Sequence, residues 1–586
     1  MAIRIYDTLT RQLQELPLPT QQPELKMYVC GPTVYDDPHI GHARSAYVFD
    51  VIRRYLEYRG YKVMFVRNVT DVDDKIIQKA NQTGQTTEQV AGHYLETYHA
   101  AMSQLGILPP TKEPKATEHI PQMQQLIKAL VRKGSAYGAA NGDVYFAVRA
   151  FNGYGKLSNR SVDELESGAR VESGEEKRDP LDFALWKAAK PGEPQWSDQA
   201  PNEQPALVPG RPGWHIECSA MSMQYLGETF DIHSGGVDLV FPHHENEVAQ
   251  SQAFTGKSDS FAKFWIHNGL LTINGQKMSK SLGNFITVAK ALEEAGGEEA
   301  VLKFFFLGAL YRSPIDYSQS RLEEIKTHLG RFRSFEGGLA WERKHHPPPP
   351  NGHGSESVRL MVLAWLSEMK ENFQREMDSD FNTPEALGVL DELVRQGNRW
   401  LDQGEGSEAE RVWMAEECAK QIRELAEILG IEGDDLFASE GADRVVHQLM
   451  AEIDNREQVQ NRIITPLHTL IEVLQQCGGA LGEVGRVDLG WEEVSQQLLQ
   501  SWVGEWAYVG RWSDAHVYSL WMESDERERE RKLSEAVEIA VNARKRLRDD
   551  KKHRRYDLAD EIRKAIDPLA QLEDTREGAR IKLRLK

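Results

Sequence analysis

Residues 26–75, KMYVCGPTVYDDPHIGHARSAYVFDVIRRYLEYRGYKVMFVRNVTDVDDK, leave the chain few folds to choose from. Met27-Tyr28-Val29-Cys30 is an apolar run of strand length, and Gly31, Pro32, Asp36, Asp37 and Pro38 form a breaker cluster behind it. From Ile40 the apolar residues recur at helical spacing, at Ala43, Tyr47, Val48, Val51, Ile52 and Tyr55, and Gly60 ends the pattern. Val63-Met64-Phe65-Val66 is a second β run. Strand, helix and strand within about forty residues make one βαβ unit, which implies a parallel sheet.

His39-Ile40-Gly41-His42 falls where that helix begins. Free backbone N–H groups and the helix dipole favour a phosphate there, and Gly41 has no side chain to hold a flat base or ribose away from the backbone. Two imidazoles beside a phosphate can donate hydrogen bonds to charge developing in a transition state. Taken alone, the four residues fit two surface histidines near a turn equally well.

The 586 residues are too many for one compact core, so about three or four domains are expected. A formal charge of −20 argues against a basic protein that coats nucleic acid by charge alone, without excluding a local basic groove. The four cysteines, Cys30, Cys218, Cys418 and Cys477, form no short-range framework, which suits a reducing compartment. No signal-peptide core opens the chain and no window approaches a membrane span, so a soluble, cytoplasmic protein is expected.

The α/β pattern is expected over residues 1–141 and again over 207–270, separated by a strand-and-loop insertion at 142–206. Residues 271–342 contain Lys277-Met278-Ser279-Lys280-Ser281 in a loop after the strand-like Leu270 to Ile273. The rest reads as mostly helical. A Pro/Gly linker lies at 343–356 and amphipathic helices at 357–435, followed by a less regular helical insertion at 436–528 and a charged, basic segment at 529–586. Trp491, Trp502, Trp506, Trp512 and Trp521 within the insertion read as core packing.

Two thiols, Cys30 and Cys218, and the i, i+4 pair His243 and Glu247 would make a tetrahedral zinc set if the fold joined them. Local spacing gives no reason to join residues this far apart, and it leaves both cysteines to be read as inert core residues.

Four separated blocks nevertheless resemble the cysteinyl-tRNA synthetases, a family of class I aminoacyl-tRNA synthetases. They are His39–His42 with its lead-in Cys30-Gly31-Pro32-Thr33-Val34-Tyr35, then GWHIECSAM at 213–221, Asp231 to Glu247, and Lys277 to Ser281. Asp378-Ser379-Asp380-Phe381-Asn382-Thr383-Pro384 extends the resemblance into the helical part. The resemblance implies a Rossmann-like parallel-sheet catalytic domain followed by a mostly α-helical C-terminal half that binds the anticodon. It implies zinc on Cys30, Cys218, His243 and Glu247. It also implies ATP held by Gly41, His39, His42, Lys277, Met278 and Lys280, with Mg2+ on the phosphates. His39, His42 and Lys280 become the catalytic candidates, and Trp214, His215, His233 and His244 candidates for the substrate pocket or the shell around the metal.

The implied reaction activates L-cysteine with ATP as cysteinyl-adenylate and passes it to tRNA(Cys). Pocket shape separates near-isosteres by only about a hundredfold. Zinc that binds the substrate thiolate would reject serine without a hydrolytic editing domain. For the tRNA, residues 544–555 hold eight Lys or Arg, and Arg576, Arg580, Lys582, Arg584 and Lys586 add to them. The family tail tends to end Glu-Asp-x-x-x-Gly-x-x-Trp, whereas this chain has Ile581 at the aromatic position. A monomer is the expected state. Two alternatives are a paralogue joining cysteine to an amino sugar and a tRNA-binding protein with a dead site.

Overall fold

The computed structural model describes residues 2–162, 164, 176–278, 283–348, 356–403, 407–437, 571–575 and 578–582. The chain divides into two compact units, Met1–Leu436 and Phe437–Lys586.

The first unit opens with an antiparallel hairpin, β1 (Arg4–Asp7) and β2 (Gln12–Glu15). The βαβ unit follows as β3 (Glu24–Val29), α1 (Ile40–Tyr58) and β4 (Lys62–Arg67), with β3 and β4 parallel. Helices α2 (Asp74–Thr83), α3 (Thr87–Gln104) and α4 (Ile120–Arg132) lead to a small antiparallel sheet. Its strands are β5 (Ala136–Gly138), β6 (Val144–Phe146), β7 (Phe183–Ala188) and β8 (Gly210–Pro212). The chain then returns to the main sheet through α5 (Trp214–Leu226), β9 (Thr229–Gly236), a π-type turn at Val240–His244, α6 (Glu245–Thr255) and β10 (Phe261–Asn268).

The main sheet has the order β10-β9-β3-β4, and every pairing in it is parallel. From β3 the chain winds outward to β4 on one side, whereas β9 and β10 fill the other. The order therefore reverses between β3 and β9, the kind of switch point at which open α/β sheets bind ligands beyond their strand ends. Met27, Tyr28, Val29, Phe65, Val66, Ile232 and Ile266 are buried on these strands, as parallel strands covered on both faces require. The core formed with Tyr28, Phe230 and Trp265 includes Met123, Ile127 and Leu130 of α4, Ile216 and Met221 of α5, and Val248 and Ala249 of α6. Each fully buried aliphatic or phenyl side chain contributes about 1.5–3 kcal/mol.

After β10 come β11 (Leu271–Ile273), β12 (Gln276–Lys277), α7 (Val288–Glu294), α8 (Glu299–Leu307) and β13 (Ile315–Tyr317). β11 pairs antiparallel with β12 and parallel with β13. The helical half contains α9 (Gln319–His345), α10 (Glu356–Asp378), α11 (Thr383–Gln403), α12 (Glu408–Ile428) and the short α13 (Gly433–Phe437). The described residues thus have the expected α/β organisation with helices behind it. The turn between α10 and α11 ties the bundle to the sheet domain. Asp380 accepts hydrogen bonds from Tyr6 N (2.8 Å), the Tyr311 hydroxyl (2.8 Å) and Arg312 Nε (2.7 Å). The Tyr55 hydroxyl of α1 donates to Asp378 at 2.6 Å.

Within the second unit the described residues form one antiparallel hairpin, β14 (Gln571–Thr575) and β15 (Gly578–Lys582), with Ile581 on β15 opposite Leu572. Half of the expected linker and nearly all of the insertion lie outside the described residues, as do the five tryptophans, the basic run at 544–555, Arg576, Arg584 and Lys586. No helix among the described residues is long and apolar enough to cross a membrane.

Candidate active site and metal centre

Cys30 leaves the end of β3, where its N–H donates to Ser234 O of β9 at 3.0 Å. Cys218 comes from α5, His243 from the π-type turn and Glu247 from the first turn of α6. Three stretches distant in sequence therefore deliver four ligand atoms that all lie within 4.8 Å of one another. The two sulfurs are 3.7 Å apart, Cys30 Sγ is 3.7 Å from Glu247 Oε1, and His243 Nε2 is 3.1 Å from the same oxygen.

The surrounding side chains hold this set in place. His215 Nδ1 and His243 Nδ1 are 2.9 Å apart, so one ring donates to the other and His243 Nε2 is left to face Glu247. Trp214 stacks on His243 with ring centres 4.1 Å apart. His233 Nε2 lies 2.9 Å from Glu247 Oε2, and its ring stacks on Trp265 at 4.5 Å. His244 Nε2 reaches Cys30 Sγ at 3.2 Å, so Cys30, His233, His244 and Glu247 form an overlapping group of the same compactness.

No lysine or arginine compensates the buried Glu247 carboxylate by an ion pair among the described residues. Burial pushes the Glu247 carboxyl and both thiols above their ordinary ranges. It also holds His215 and His233 down at about 3, and His243 and His244 well below their usual range. Burial thus opposes charge on every member of the cluster. A divalent cation reverses that pressure, because it favours thiolate, carboxylate and neutral imidazole as ligands. Two sulfurs, one imidazole nitrogen and one carboxylate are a donor set suited to zinc.

The second group of candidates lies where α1 begins. His39 is the N-cap, its Nδ1 accepts the His42 N–H at 3.2 Å, and His42 Nδ1 accepts the His39 N–H at 3.4 Å. Each imidazole therefore carries its proton on Nε2, where it is a donor. The rings stack with centres 3.6 Å apart. Burial lowers His39 to about 4 and His42 well below its ordinary value, so both are neutral at pH 7. Any Cβ added at Gly41 would stand 3.0 Å from His39 Nδ1 and 3.7 Å from Met278 Cε, so Met278 approaches the helix entry. Lys277 ends β12 and is exposed, whereas Lys280 lies outside the described residues.

Several participants escaped the sequence reading. His267 Nε2 is 2.8 Å from His244 Nδ1, and His267 Nδ1 is 2.8 Å from the Thr8 hydroxyl, which extends the polar network to the N-terminal hairpin. Trp265 and His267 lie two apart on β10, and a histidine directly after the buried apolar run Phe264-Trp265-Ile266 is an anomaly that the sequence could have flagged. The contacts of Thr8 and of Phe285, whose ring meets His39 edge-on at 5.3 Å, carry no local signal.

Residues 17–327 match the tRNA synthetases class I (C) catalytic domain family and residues 372–432 the DALR domain. The Mycobacterium tuberculosis methionyl-tRNA synthetase bound by methionyl-adenylate shares the fold with a TM-score of 0.53 at 15% identity, over 74% of this chain and 95% of that one. Fold and site together define a class I aminoacyl-tRNA synthetase. The cysteine–tRNA ligase of Geobacter metallireducens is 49% identical over 467 residues, covering 79% of this chain and 92% of that protein. That of Geobacter sulfurreducens is 52% identical over 406 residues, covering 69% and 80%. The chain belongs to the cysteine–tRNA ligase family.

Proposed function

We propose that this protein joins L-cysteine to tRNA(Cys) at the expense of ATP, with Zn2+ on Cys30, Cys218, His243 and Glu247 and Mg2+ arriving on the ATP phosphates. The observation that carries this reading is the convergence of those four ligand atoms within 4.8 Å at the switch point of the sheet. Bound there, zinc would supply a soft Lewis acid for the substrate sulfur, which a serine hydroxyl at neutral pH matches poorly.

In the first step the cysteine carboxylate attacks the α-phosphorus of ATP, the bond to the bridging oxygen breaks, and pyrophosphate leaves. In the second, a ribose hydroxyl at the tRNA 3′ end attacks the acyl carbon and AMP departs. The chain contributes position and charge stabilisation, with no covalent nucleophile. Neutral His39 and His42 present Nε2–H donors to the triphosphate beside Gly41 and the helix N-terminus. Lys277, Met278 and Lys280 belong to the loop assigned to ATP, with Lys280 on the leaving pyrophosphate. His215 and Trp214 orient His243, and His233 and His244 orient Glu247 and Cys30. The helical half and the basic C-terminal segment take the tRNA, and the protein works as a cytoplasmic monomer. The domain limits expected from the sequence remain part of this reading. The amino-sugar and dead-site alternatives gain no support from relatives that are cysteine–tRNA ligases at 45–52% identity.

Charging of a tRNA(Cys) transcript with radiolabelled cysteine tests the whole reaction. Acid-stable cysteinyl-tRNA is expected, and formation of the adenylate without transfer to tRNA would sink the second step.

A further inference from the structure

Arg44 sits two residues beyond His42 on α1, is completely buried, and forms no ion pair among the described residues. Its guanidinium converges instead on four backbone carbonyls. Nη1 donates to Gly269 O at 2.6 Å and Leu270 O at 2.9 Å, and Nη2 to Tyr311 O at 3.2 Å and Ser313 O at 2.6 Å. Burial lowers its pKa to about 10, which still leaves it a cation at neutral pH. A buried charge that meets only neutral acceptors is costly, and an apolar side chain of similar volume would pack without that cost.

The four carbonyls belong to a joint. Gly269 and Leu270 carry the chain from β10 into β11, and Tyr311 and Ser313 carry it into β13, the strand paired with β11. Gly269 N donates to Tyr311 O at 2.8 Å and Ile315 N to Leu270 O at 3.0 Å. A Cβ on Gly269 would stand 2.2 Å from Ser313 O, so only glycine permits this approach. From the joint the β11–β12 hairpin runs out to Met278, and Met278 approaches Gly41. The returning chain is fixed to the same helix entry, where Ile40 N donates to Ile286 O at 3.0 Å and Val288 N to Pro38 O at 2.9 Å. Both ends of the excursion are therefore fastened to the start of α1, one through backbone pairing and the other through Arg44.

We propose that Arg44 is a positioning residue whose guanidinium fork sets the base of the 271–278 hairpin against His39 and His42, so that the hairpin meets the ATP triphosphate in one register. This rests on the adenylate-forming reading above. Lysine is a point charge on a flexible stem and cannot hold both pairs of carbonyls in one plane.

The test is ATP–pyrophosphate exchange by zinc-loaded wild type, Arg44→Lys and Arg44→Met, with zinc content, thermal unfolding and amide hydrogen exchange recorded on the same samples. Arg44→Lys is expected to keep its zinc and its KM for cysteine within about twofold while kcat falls about 100-fold, the scale of a 1 Å misplacement. Amide exchange is expected to quicken over 269–278 and to stay unchanged in β3 and β9. Since Arg44→Met can unfold the joint, Arg44→Lys and the hydrogen exchange decide the matter. An active wild type with an equally active Arg44→Lys would overturn the proposal alone. So would a variant whose KM for cysteine rises as its zinc content and kcat fall, since that is the pattern of a merely structural role. A zinc-loaded wild type without exchange would overturn the underlying reading, and the proposal with it.

Discussion

Cys30 and Cys218 are 188 residues apart in the sequence, yet their sulfurs stand 3.7 Å apart. One ends a strand on the near side of the switch point and the other lies in the helix that feeds the next strand. The parallel topology brings them together, since β3 and β9 are neighbours although the chain forms β4 and a second sheet between them.

This proximity predicts a redox signature. Disulfide bonding needs a sulfur separation of about 2.05 Å, against the 3.7 Å between these two thiols. Metal-stripped protein under mild oxidant is expected to form a Cys30–Cys218 disulfide, and zinc-loaded protein to resist it. Peptide mapping checks this. The same disulfide yield with and without zinc would place the metal elsewhere.

His215 Nδ1 and His243 Nδ1 stand 2.9 Å apart, a contact through which His215 would hold the ring of the proposed zinc ligand His243. Replacing such a partner of a ligand typically weakens metal binding about 10–100-fold. His215→Phe should therefore lower zinc affinity by that factor in a chelator competition, with little change in far-UV circular dichroism. Unchanged affinity would mean that the contact does not orient the ligand.

Gly41→Ala sets two effects against each other. Alanine in place of glycine favours a helix by about 0.5–1 kcal/mol. The new Cβ, however, would stand 3.0 Å from His39 Nδ1 and 3.1 Å from its Cε1, which displaces the ring. Thermal stability is expected to hold or rise slightly while pyrophosphate exchange drops at least about tenfold. A variant as active as wild type would show that the placement of His39 does not matter to the reaction.

Burial holds His39 down at about 4, against 6.5 for an unperturbed imidazole. Between those values the unfolded chain binds the additional proton, so stability rises with pH through that window and is lost as pH falls from about 6.5 toward about 4. His39→Asn removes the titrating ring and keeps a good N-cap. Between pH 7 and pH 4.5 the melting temperature of the variant should fall by less than that of wild type. Parallel declines would refute the assignment.

Much of the catalytic half was legible because its signals are local. The apolar run ending at Cys30, the helical spacing from Ile40 to Tyr55 and the β run at Val63 predict the βαβ unit, and β3, α1 and β4 occupy those places. His243 and Glu247 were legible as a pair because four residues on a helix share a face, and they meet at 3.1 Å although the first belongs to a π-type turn. Cys30 and Cys218 were not joined by spacing, since a contact across a parallel sheet leaves no periodic trace, and only the family resemblance connected them. The roles of Thr8 and Arg44 stayed hidden for the same reason, as each acts through partners more than 200 residues away, whereas His267 meets His244 only 23 residues away.

The central claim is that this site activates cysteine and that zinc makes the choice. ATP–pyrophosphate exchange with cysteine, serine and methionine, before and after the metal is stripped, tests it most directly. The account predicts exchange with cysteine alone, lost on chelation and restored by zinc. Exchange with serine as readily as with cysteine, or exchange that persists without metal, would contradict it.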